Sequence, residues 1–238
     1  NALNPVVKIG AQVKEPLIKH QAKKIGMLEM DTKVMELIKS VSLVPEVLSR
    51  YPHELSGGMK QRVMVAMSLI CSPQIIIADE PTTALDVIAQ DRVLELIEGL
   101  QKKYNLTLLL ISHDISLVAE TCENLIIMYA GCIVEAGSTK SIFAKPSHPY
   151  TKALLASIPS LHGDKSELLG IPGELPDMSA IIEGCKFAER CVFFEEKCKG
   201  SAPPYVSVDS GHFVRCFKPI DYGLQNKPTD SLGNEVGF

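Results

Sequence analysis

A helix start with an unusual residue composition is the first part of this sequence that could do chemistry. Leu55 is followed by Ser56, Gly57 and Gly58. A serine and two glycines at the start of a helix leave backbone N–H groups unpaired and let an anion approach without a side chain in the way. This pattern favours a phosphate site, although an ordinary helix cap with flexible glycines is a common alternative.

Two neighbouring acids, Asp79 and Glu80, support the phosphate-site interpretation. They follow an apolar run from Gln74 to Ala78 that is typical of a buried parallel strand. Carboxylates at the carboxyl end of such a strand lie where α/β folds bind ligands. Asp79 could therefore hold Mg2+, and Glu80 could polarise a water molecule.

His113 adds a third chemical group. Ser112, His113 and Asp114 follow the next apolar run, Leu106 to Ile111, so His113 is expected at the same sheet edge as Glu80. A lone histidine is more often a structural residue. Beside the acidic pair, it is better interpreted as a donor to a transferring phosphate.

The spacing of apolar residues predicts the elements that position these groups. Helices are expected over 6–19 and 31–44, and a third is expected to begin near Ser56. After Pro73, apolar runs at 74–79, 106–111 and 125–129 alternate with helical patterns, including one over 87–104. This alternation predicts a parallel α/β sheet whose strands are buried on both faces. Residues 124–136 could alternatively form a terminal hairpin.

The composition changes at about residue 141, where prolines become frequent. Four of the seven cysteines also lie in this last part of the chain. The sequence therefore predicts one α/β domain over 1–140 and a separate loop-rich module over 141–238. Within the first domain, residues 1–72 are expected to be mainly helical and 73–140 to form the parallel-sheet core.

Charge and hydropathy exclude several classes of protein. The chain has 24 basic and 28 acidic residues and a net charge of −4, so it has no basic surplus with which to hold nucleic acid. Its longest apolar run, 125–134, is too short to cross a bilayer. No secretory leader opens the chain, so we expect a cytosolic, reducing compartment, where thiols are more often free or metal-bound than paired.

Four motifs, taken in order, resemble those of an ABC-type ATPase. Residues 55–58, 79–82, 84–86 and 112–114 are similar to the signature motif, Walker B motif, D-loop and H-loop. Met59, where the wider family usually has glutamine, resembles the subgroup that energises oligopeptide and dipeptide importers. The tail is also similar to that subgroup, in the segments 145–155 and 171–176 and in the cysteine segment 185–216.

The resemblance implies a partial P-loop NTPase fold, ATP and Mg2+ as ligands, and two nucleotide-binding subunits that sandwich ATP head to tail. The signature residues 56–58 would then act on the nucleotide of the partner subunit. Glu80 would be the general base, and His113 would stabilise the γ-phosphate. Asp79 would hold magnesium through water, and Asp86 would couple the two sites.

The same resemblance implies partners. It predicts a homo- or heterodimer bound to two transmembrane permease subunits at the cytoplasmic face of the cell membrane, served by an extracytoplasmic solute-binding protein. The cargo would be oligopeptides or dipeptides. Two alternatives stay open: a DNA-repair-type ABC ATPase, which should show zinc insertions or a long coiled coil, and a non-hydrolysing regulatory iron-sulfur module.

The phosphate-binding loop of this family is not found in the sequence. No Gly-Lys pair occurs among the 238 residues, whereas the loop requires Gly-x4-Gly-Lys-Ser/Thr. Residues 1–5 resemble the segment after the Q-loop glutamine, so the chain is expected to begin inside the nucleotide-binding domain. We therefore expect the 238-residue chain alone not to hydrolyse ATP.

Four clustered thiols form the last candidate site: Cys185, Cys191, Cys198 and Cys216. Zinc usually takes its ligands from closer Cys pairs than these, whereas an iron-sulfur cluster tolerates wider spacing because each thiolate binds a different iron. The resemblance favours a four-iron (4Fe-4S) cluster. Zinc, disulfides and unliganded thiols are the alternatives. The remaining cysteines, Cys71, Cys122 and Cys132, look like ordinary small core residues.

Overall fold

The structure of the protein is a computed structural model that describes residues 3–21, 26–83, 85–158, 170–177, 179–221 and 227–228. The chain divides into two units, Asn1–His113 and Asp114–Phe238. The boundary expected at residue 140 falls inside the second unit, and that domain division stays a prediction. Ala84 of the D-loop motif and residues 1–2 lie outside the described part.

The first unit begins with three helices: α1 (Ile9–Gln21), α2 (Met27–Ser40) and α3 (Gly57–Leu69). They pack on one another around a common apolar core, as the periodicity predicts. In α1 the buried stripe is Ile9, Val13 and Leu17, spaced four residues apart. Gly10 lets α1 come close to the segment before α3, because a Cβ atom there would lie 2.8 Å from the Leu48 carbonyl oxygen.

A parallel strand pair completes the first unit: β1 (Ile75–Asp79), α4 (Val87–Tyr104) and β2 (Thr107–Ile111) follow in this order. β1 and β2 pair in parallel with Asp79 opposite Ile111, which confirms the predicted arrangement. The prediction that both faces are buried is wrong. Ile75 and Ile77 are 61% and 65% exposed, whereas Ile76 between them packs against the helical core. Only one face of the pair is covered within the described residues.

The second unit contains a five-stranded sheet and four helices among its described residues: α5 (Ile115–Thr121), β3 (Asn124–Tyr129), β4 (Cys132–Ser138), α6 (Thr139–Ala144), α7 (Pro149–Ala156), α8 (Lys197–Gly200), β5 (Tyr205–Asp209), β6 (His212–Arg215) and β7 (Lys227–Pro228). The strand order is β3-β4-β6-β5-β7, and all neighbours are antiparallel.

The apolar run 125–129 is not a third strand of the parallel sheet, which corrects that expectation. It lies in β3, which forms a hairpin with β4, as the alternative interpretation of 124–136 predicted. Ala130 and Gly131 both have positive φ, 48° and 76°. Such a two-residue turn matches the twist of antiparallel strands, so the local sequence selects the hairpin.

The loop-rich module is also more regular than expected. β5 and β6 pair around a turn at Gly211, whose φ is +70°. β6 then pairs with β4, with Val214 opposite Glu135. The C-terminal residues therefore extend the sheet that the β3–β4 hairpin begins.

A buried polar network ties α7 to this sheet. Both carboxylate oxygens of Glu135 accept backbone N–H groups, from Ser147 at 2.7 Å and from His148 at 2.9 Å. His212 Nε2 lies 2.7 Å from the same carboxylate, and Ser141 Oγ lies 2.9 Å from His212 Nδ1. Glu135 and His212 are each 1% exposed, so these bonds form away from water.

Candidate functional site

The parallel pair places three predicted residues at one sheet edge. Asp79 is the last residue of β1, and Glu80 follows it directly. Ser112 alone separates His113 from the end of β2. Glu80 has a positive φ of 48°, so the chain turns sharply there. Its N–H donates to the Ile111 carbonyl oxygen at 2.9 Å, which holds the two strand ends together.

Glu80 and His113, which the sequence predicts at the same sheet edge, are in direct contact. The His113 ring Nδ1 lies 2.8 Å and 2.9 Å from the two carboxylate oxygens, and the His113 backbone N–H donates to one of them at 3.0 Å. Thr83 Oγ1 adds a bond of 3.3 Å. The ring hydrogen bond lowers the pKa of the Glu80 carboxyl group, so the carboxylate is ionised at neutral pH and can accept a proton.

The two other acids have different surroundings. Asp79 is exposed at the strand end, where a carboxylate could hold a magnesium ion. Asp86 caps α4, and its Oδ1 accepts the Ala89 N–H at 2.8 Å. Capping explains a short acidic side chain at this position, and the coupling role of Asp86 stays a prediction.

The signature residues lie at the N-terminus of α3. Ser56 is the cap, with Oγ accepting the Met59 N–H at 3.3 Å. Gly57 and Gly58 form the first helical turn, and a Cβ atom at Gly58 would meet nothing within 4 Å. The surface at Gly58 is therefore open, whereas a Cβ atom at Gly57 would contact the Leu85 side chain at 3.6 Å. Backbone N–H groups at such a helix start can bind an anion.

Gln61 connects the signature helix to the acidic strand end, a contact that sequence reasoning missed. Its side-chain amide donates to the Pro81 carbonyl oxygen, directly after Glu80. The spacing of residues in the sequence could not predict this bond, because Gln61 and Pro81 are twenty positions apart and belong to no common local pattern.

The four clustered cysteines converge on a single cavity. Cys185, Cys191, Cys198 and Cys216 all line a small cavity of about 20 Å³ in the second unit. All four are free thiols. Burial raises the pKa of the Cys185 and Cys191 thiols and raises that of Cys216 to about 12, so without a bound cation these groups stay protonated.

The thiols do not form a ligand set for one ion. Within the ranges that the structure describes, no three His, Cys, Asp or Glu side chains are placed to hold a single metal ion. An ion such as zinc needs its sulfur ligands at about 2.3 Å.

His148 also lines this cavity, although sequence reasoning gave it no role. It is 1% exposed, and burial lowers its pKa to about 4, so the ring is neutral at pH 7. Its Nδ1 accepts the Tyr150 N–H at 3.0 Å, whereas its Nε2 has no hydrogen-bond partner.

No helix in the described part of the chain combines enough length with enough apolar character to cross a bilayer.

Family comparisons agree with the motif order. The ABC transporter family matches residues 3–83, and the C-terminal region of oligopeptide/dipeptide transporters matches residues 134–198. The structure is similar to cbiO1 of Clostridium perfringens, part of the ABC transporter complex cbiONQ, with a TM-score of 0.54 and 27% identity over 61% of this chain and 56% of that one. The ATP-binding cassette MJ0796, in a dimer bound to ADP and Pi, gives a TM-score of 0.51 and 28% identity over 58% of this chain and 59% of that one.

Curated relatives are similar along nearly the whole chain. The oligopeptide transport ATP-binding protein AppD of Bacillus subtilis is 44% identical over 226 residues, which are 94% of this chain and 68% of the relative. OppD of Salmonella typhimurium is 39% identical over 224 residues, 92% of this chain and 65% of the relative. The chain thus spans about two thirds of the length of these relatives. With the signature helix, the acidic strand end and the His113 contact in place, the chain belongs to the ABC ATPase family, among the ATP-binding proteins of oligopeptide transport.

Proposed function

We propose that this chain is the part of a peptide importer's ATP-binding subunit that carries the catalytic base and the signature motif. The observation that carries the proposal is the contact of Glu80 with His113 at the end of two parallel strands. The relatives are named as peptide transport proteins, which supports the import of oligopeptides or dipeptides. Neither a DNA-repair ATPase nor a non-hydrolysing regulatory module has comparable support.

The chemistry follows from the residues at the sheet edge. Glu80 takes a proton from the attacking water, and His113 contacts the transferring phosphate. Asp79 would hold Mg2+ through water, and the ion would supply charge neutralisation at the phosphate oxygens. Residues 56–58 offer N–H groups to the nucleotide of a second subunit. The surface at Gly58 is open, and the N-terminus of α3 is the positive end of the helix dipole.

The proposed partners follow from the same assignment. A second nucleotide-binding subunit completes the ATP site, and two permease subunits carry the peptide across the membrane, at whose cytoplasmic face this chain works. A solute-binding protein delivers the peptide. Peptide-stimulated ATP hydrolysis by the assembled transporter in vesicles would support this assignment, and stimulation only by an unrelated solute would contradict it.

Glu80→Gln tests the role of the base in a protein that also carries the phosphate-binding loop. The amide cannot accept the proton, so we expect turnover to fall at least about 100-fold while ATP binding is retained. Glu95→Gln, an exposed site on α4, is the matched control and should leave turnover unchanged. If Glu80→Gln hydrolysed ATP at the normal rate, Glu80 would not be the base, and the role would belong to another residue.

We further propose that Cys185, Cys191, Cys198 and Cys216 hold a 4Fe-4S cluster. Four thiols around one cavity are the donor set that such a cluster uses, with each thiolate on a different iron. The wide spacing of the four cysteines in the sequence supports this assignment over zinc, whose ligands usually come from closer Cys pairs. Bound iron cations would also lower the raised pKa values of the cysteine thiols and thereby favour the thiolates that bind the cluster. Because the cavity has room for about one water, cluster binding requires the surrounding loops to spread.

Anaerobic purification tests the cluster. We expect a brown protein with broad visible absorbance and equal amounts of iron and acid-labile sulfide. Cys191→Ser should remove the colour, whereas Cys122→Ser, a half-buried thiol that is not on the cavity wall, should keep it. A colourless protein with stoichiometric zinc would contradict the assignment.

A further inference from the structure

The segment that follows Glu80 is held by side chains from two helices. Gln61 on α3 donates its side-chain amide to the Pro81 carbonyl oxygen, and Gln90 on α4 donates to the Thr82 carbonyl oxygen at 3.3 Å. Pro81 and Thr82 are both buried. Buried carbonyl oxygens need hydrogen-bond donors, and the two glutamines supply them in a segment that belongs to no helix or strand.

Gln61 lies on the face of α3 that meets this segment. It comes four positions after Gly57, so the two residues lie on the same side of the helix, one turn apart. A Cβ atom at Gly57 would lie 3.6 Å from the Leu85 side chain, so the start of α3 is also close to the residues after Glu80. Two contacts therefore join the signature helix to the segment that follows Glu80.

The backbone around Glu80 has little freedom to move. Its N–H donates to the Ile111 carbonyl oxygen at 2.9 Å, and its carbonyl oxygen accepts the Thr83 N–H at 3.2 Å. The Pro81 ring fixes the next φ at about −65°. Because Gln61 holds the Pro81 carbonyl group, the chain is anchored on both sides of Glu80, which keeps its positive φ of 48°.

We propose that Gln61 is a positioning residue whose hydrogen bond to Pro81 fixes the Glu80 carboxylate relative to the signature residues 56–58. The inference rests on the proposed function, because the position of Glu80 affects turnover only if Glu80 is the base. A base displaced by about 1 Å is poorly aligned with the proton that it accepts, which slows the reaction. The bond thus links the helix start that meets a second subunit's nucleotide to the base of this chain's own site.

Gln61→Met tests the link in the 238-residue chain. Methionine keeps the length of the side chain and its helix propensity but cannot donate the hydrogen bond. In hydrogen exchange followed by mass spectrometry, we expect several-fold faster exchange in peptides that contain residues 80–83, whereas peptides from α1, in the same unit, keep their rates. Gln101→Met, the same change at a half-buried position of α4, is the control and should leave both regions unchanged.

Turnover tests the consequence in a protein that also carries the phosphate-binding loop. Gln61→Met should lower kcat about tenfold with little change in the KM for ATP, because the base is displaced while the contacts that bind ATP are kept. Gln101→Met should leave kcat unchanged. An unchanged kcat in Gln61→Met would overturn the inference. Equally faster exchange in residues 80–83 and in α1 would also overturn it, because Gln61 would then only stabilise the fold.

The possible failures are distinct. Normal hydrolysis by Glu80→Gln would overturn the proposed base and, with it, the catalytic role of Gln61. An inactive Glu80→Gln together with a fully active Gln61→Met would overturn the role of Gln61 alone. If Gln61→Met does not fold, Gln61→Glu decides by the same two measurements, because its carboxylate keeps the length and polarity of the side chain but cannot donate.

Discussion

Two groups of one residue, His113, hydrogen-bond to the Glu80 carboxylate. The backbone N–H and the ring Nδ1 of His113 reach the same carboxylate. This arrangement orients the carboxylate and keeps it ionised, and it also places the imidazole within reach of whatever Glu80 faces. A substitution of His113 should therefore also change the orientation and the pKa of the Glu80 carboxyl group.

Replacing His113 with Ala should raise the pKa of Glu80 toward its ordinary value. The His113 ring is the largest cause of the lowered pKa, and the Thr83 hydroxyl is the smallest. His113→Ala should therefore shift the titration of the Glu80 side-chain carbon upward more than Thr83→Val does. Carbon-13 NMR of glutamate-labelled protein measures both shifts. A larger effect of Thr83→Val would mean that the ring does not control this carboxyl group.

At the scale of elements, Glu135 determines where α7 begins. It lies on β4 and accepts the N–H groups of Ser147 and His148, directly before the first residue of α7. A carboxylate has two acceptor oxygens, so it satisfies both donors, and His212 adds a third bond. The Ser-His-Pro sequence at this helix start is thus explained by a carboxylate on the facing strand.

Glu135→Gln should destabilise the second unit by about 2–3 kcal/mol. The amide keeps one acceptor oxygen and turns an NH2 group toward a backbone N–H, so one buried donor loses its partner. Urea unfolding followed by circular dichroism measures the change. Glu120→Gln, on the exposed side of α5, should change stability by less than about 0.5 kcal/mol. Equal stability of the two variants would show that the network contributes little.

Local patterns in the sequence predicted most elements of the first unit. Apolar spacing located α1, α2, α3 and α4, and the alternation of elements predicted the parallel pair of β1 and β2. The hairpin of β3 and β4 was only an alternative interpretation of residues 124–136, and the main prediction for this run, a parallel strand, was wrong. β5 and β6 were missed, although Ser210 and Gly211 between two apolar runs are a recognisable hairpin signal.

Site residues were predictable where a motif fixes them and missed where only folding brings them together. Asp79 ends one predicted strand, and Glu80 and His113 follow the ends of the two predicted strands. Parallel pairing was therefore enough to place all three at one edge. Gln61 bonds to Pro81, twenty positions away, and His148 meets the cysteines only on the wall of a cavity. No local spacing encodes such contacts, because they depend on how elements pack.

At the scale of the whole molecule, the first unit presents an uncovered apolar surface. Ile75, Ile77, Leu109 and Ile111 are all substantially exposed on the parallel pair. Parallel sheets are normally covered on both faces. An apolar patch of this kind promotes association with other chains.

We expect the 238-residue chain to bind the dye ANS and to self-associate at micromolar concentration. Replacing Ile77 and Leu109 together with Thr should reduce both effects, because the face becomes polar while its β propensity is kept. Fluorescence and light scattering measure the two effects. Ile181→Thr removes an exposed apolar side chain that is not on this sheet and should change little. A monomeric chain with no dye binding would contradict the prediction.

The backbone of Glu80 has a consequence for the evolution and engineering of this protein. A glutamate at φ 48° occupies a conformation that glycine adopts without steric cost. Glu80→Gly would relieve this steric cost, but it would also remove the hydrogen bonds from His113 and Thr83 and add chain entropy to the unfolded state. The residue that best suits the backbone at this position is therefore not the residue that supplies the proposed base. A library screened for stability alone does not protect Glu80, so it needs a parallel screen for ATP hydrolysis.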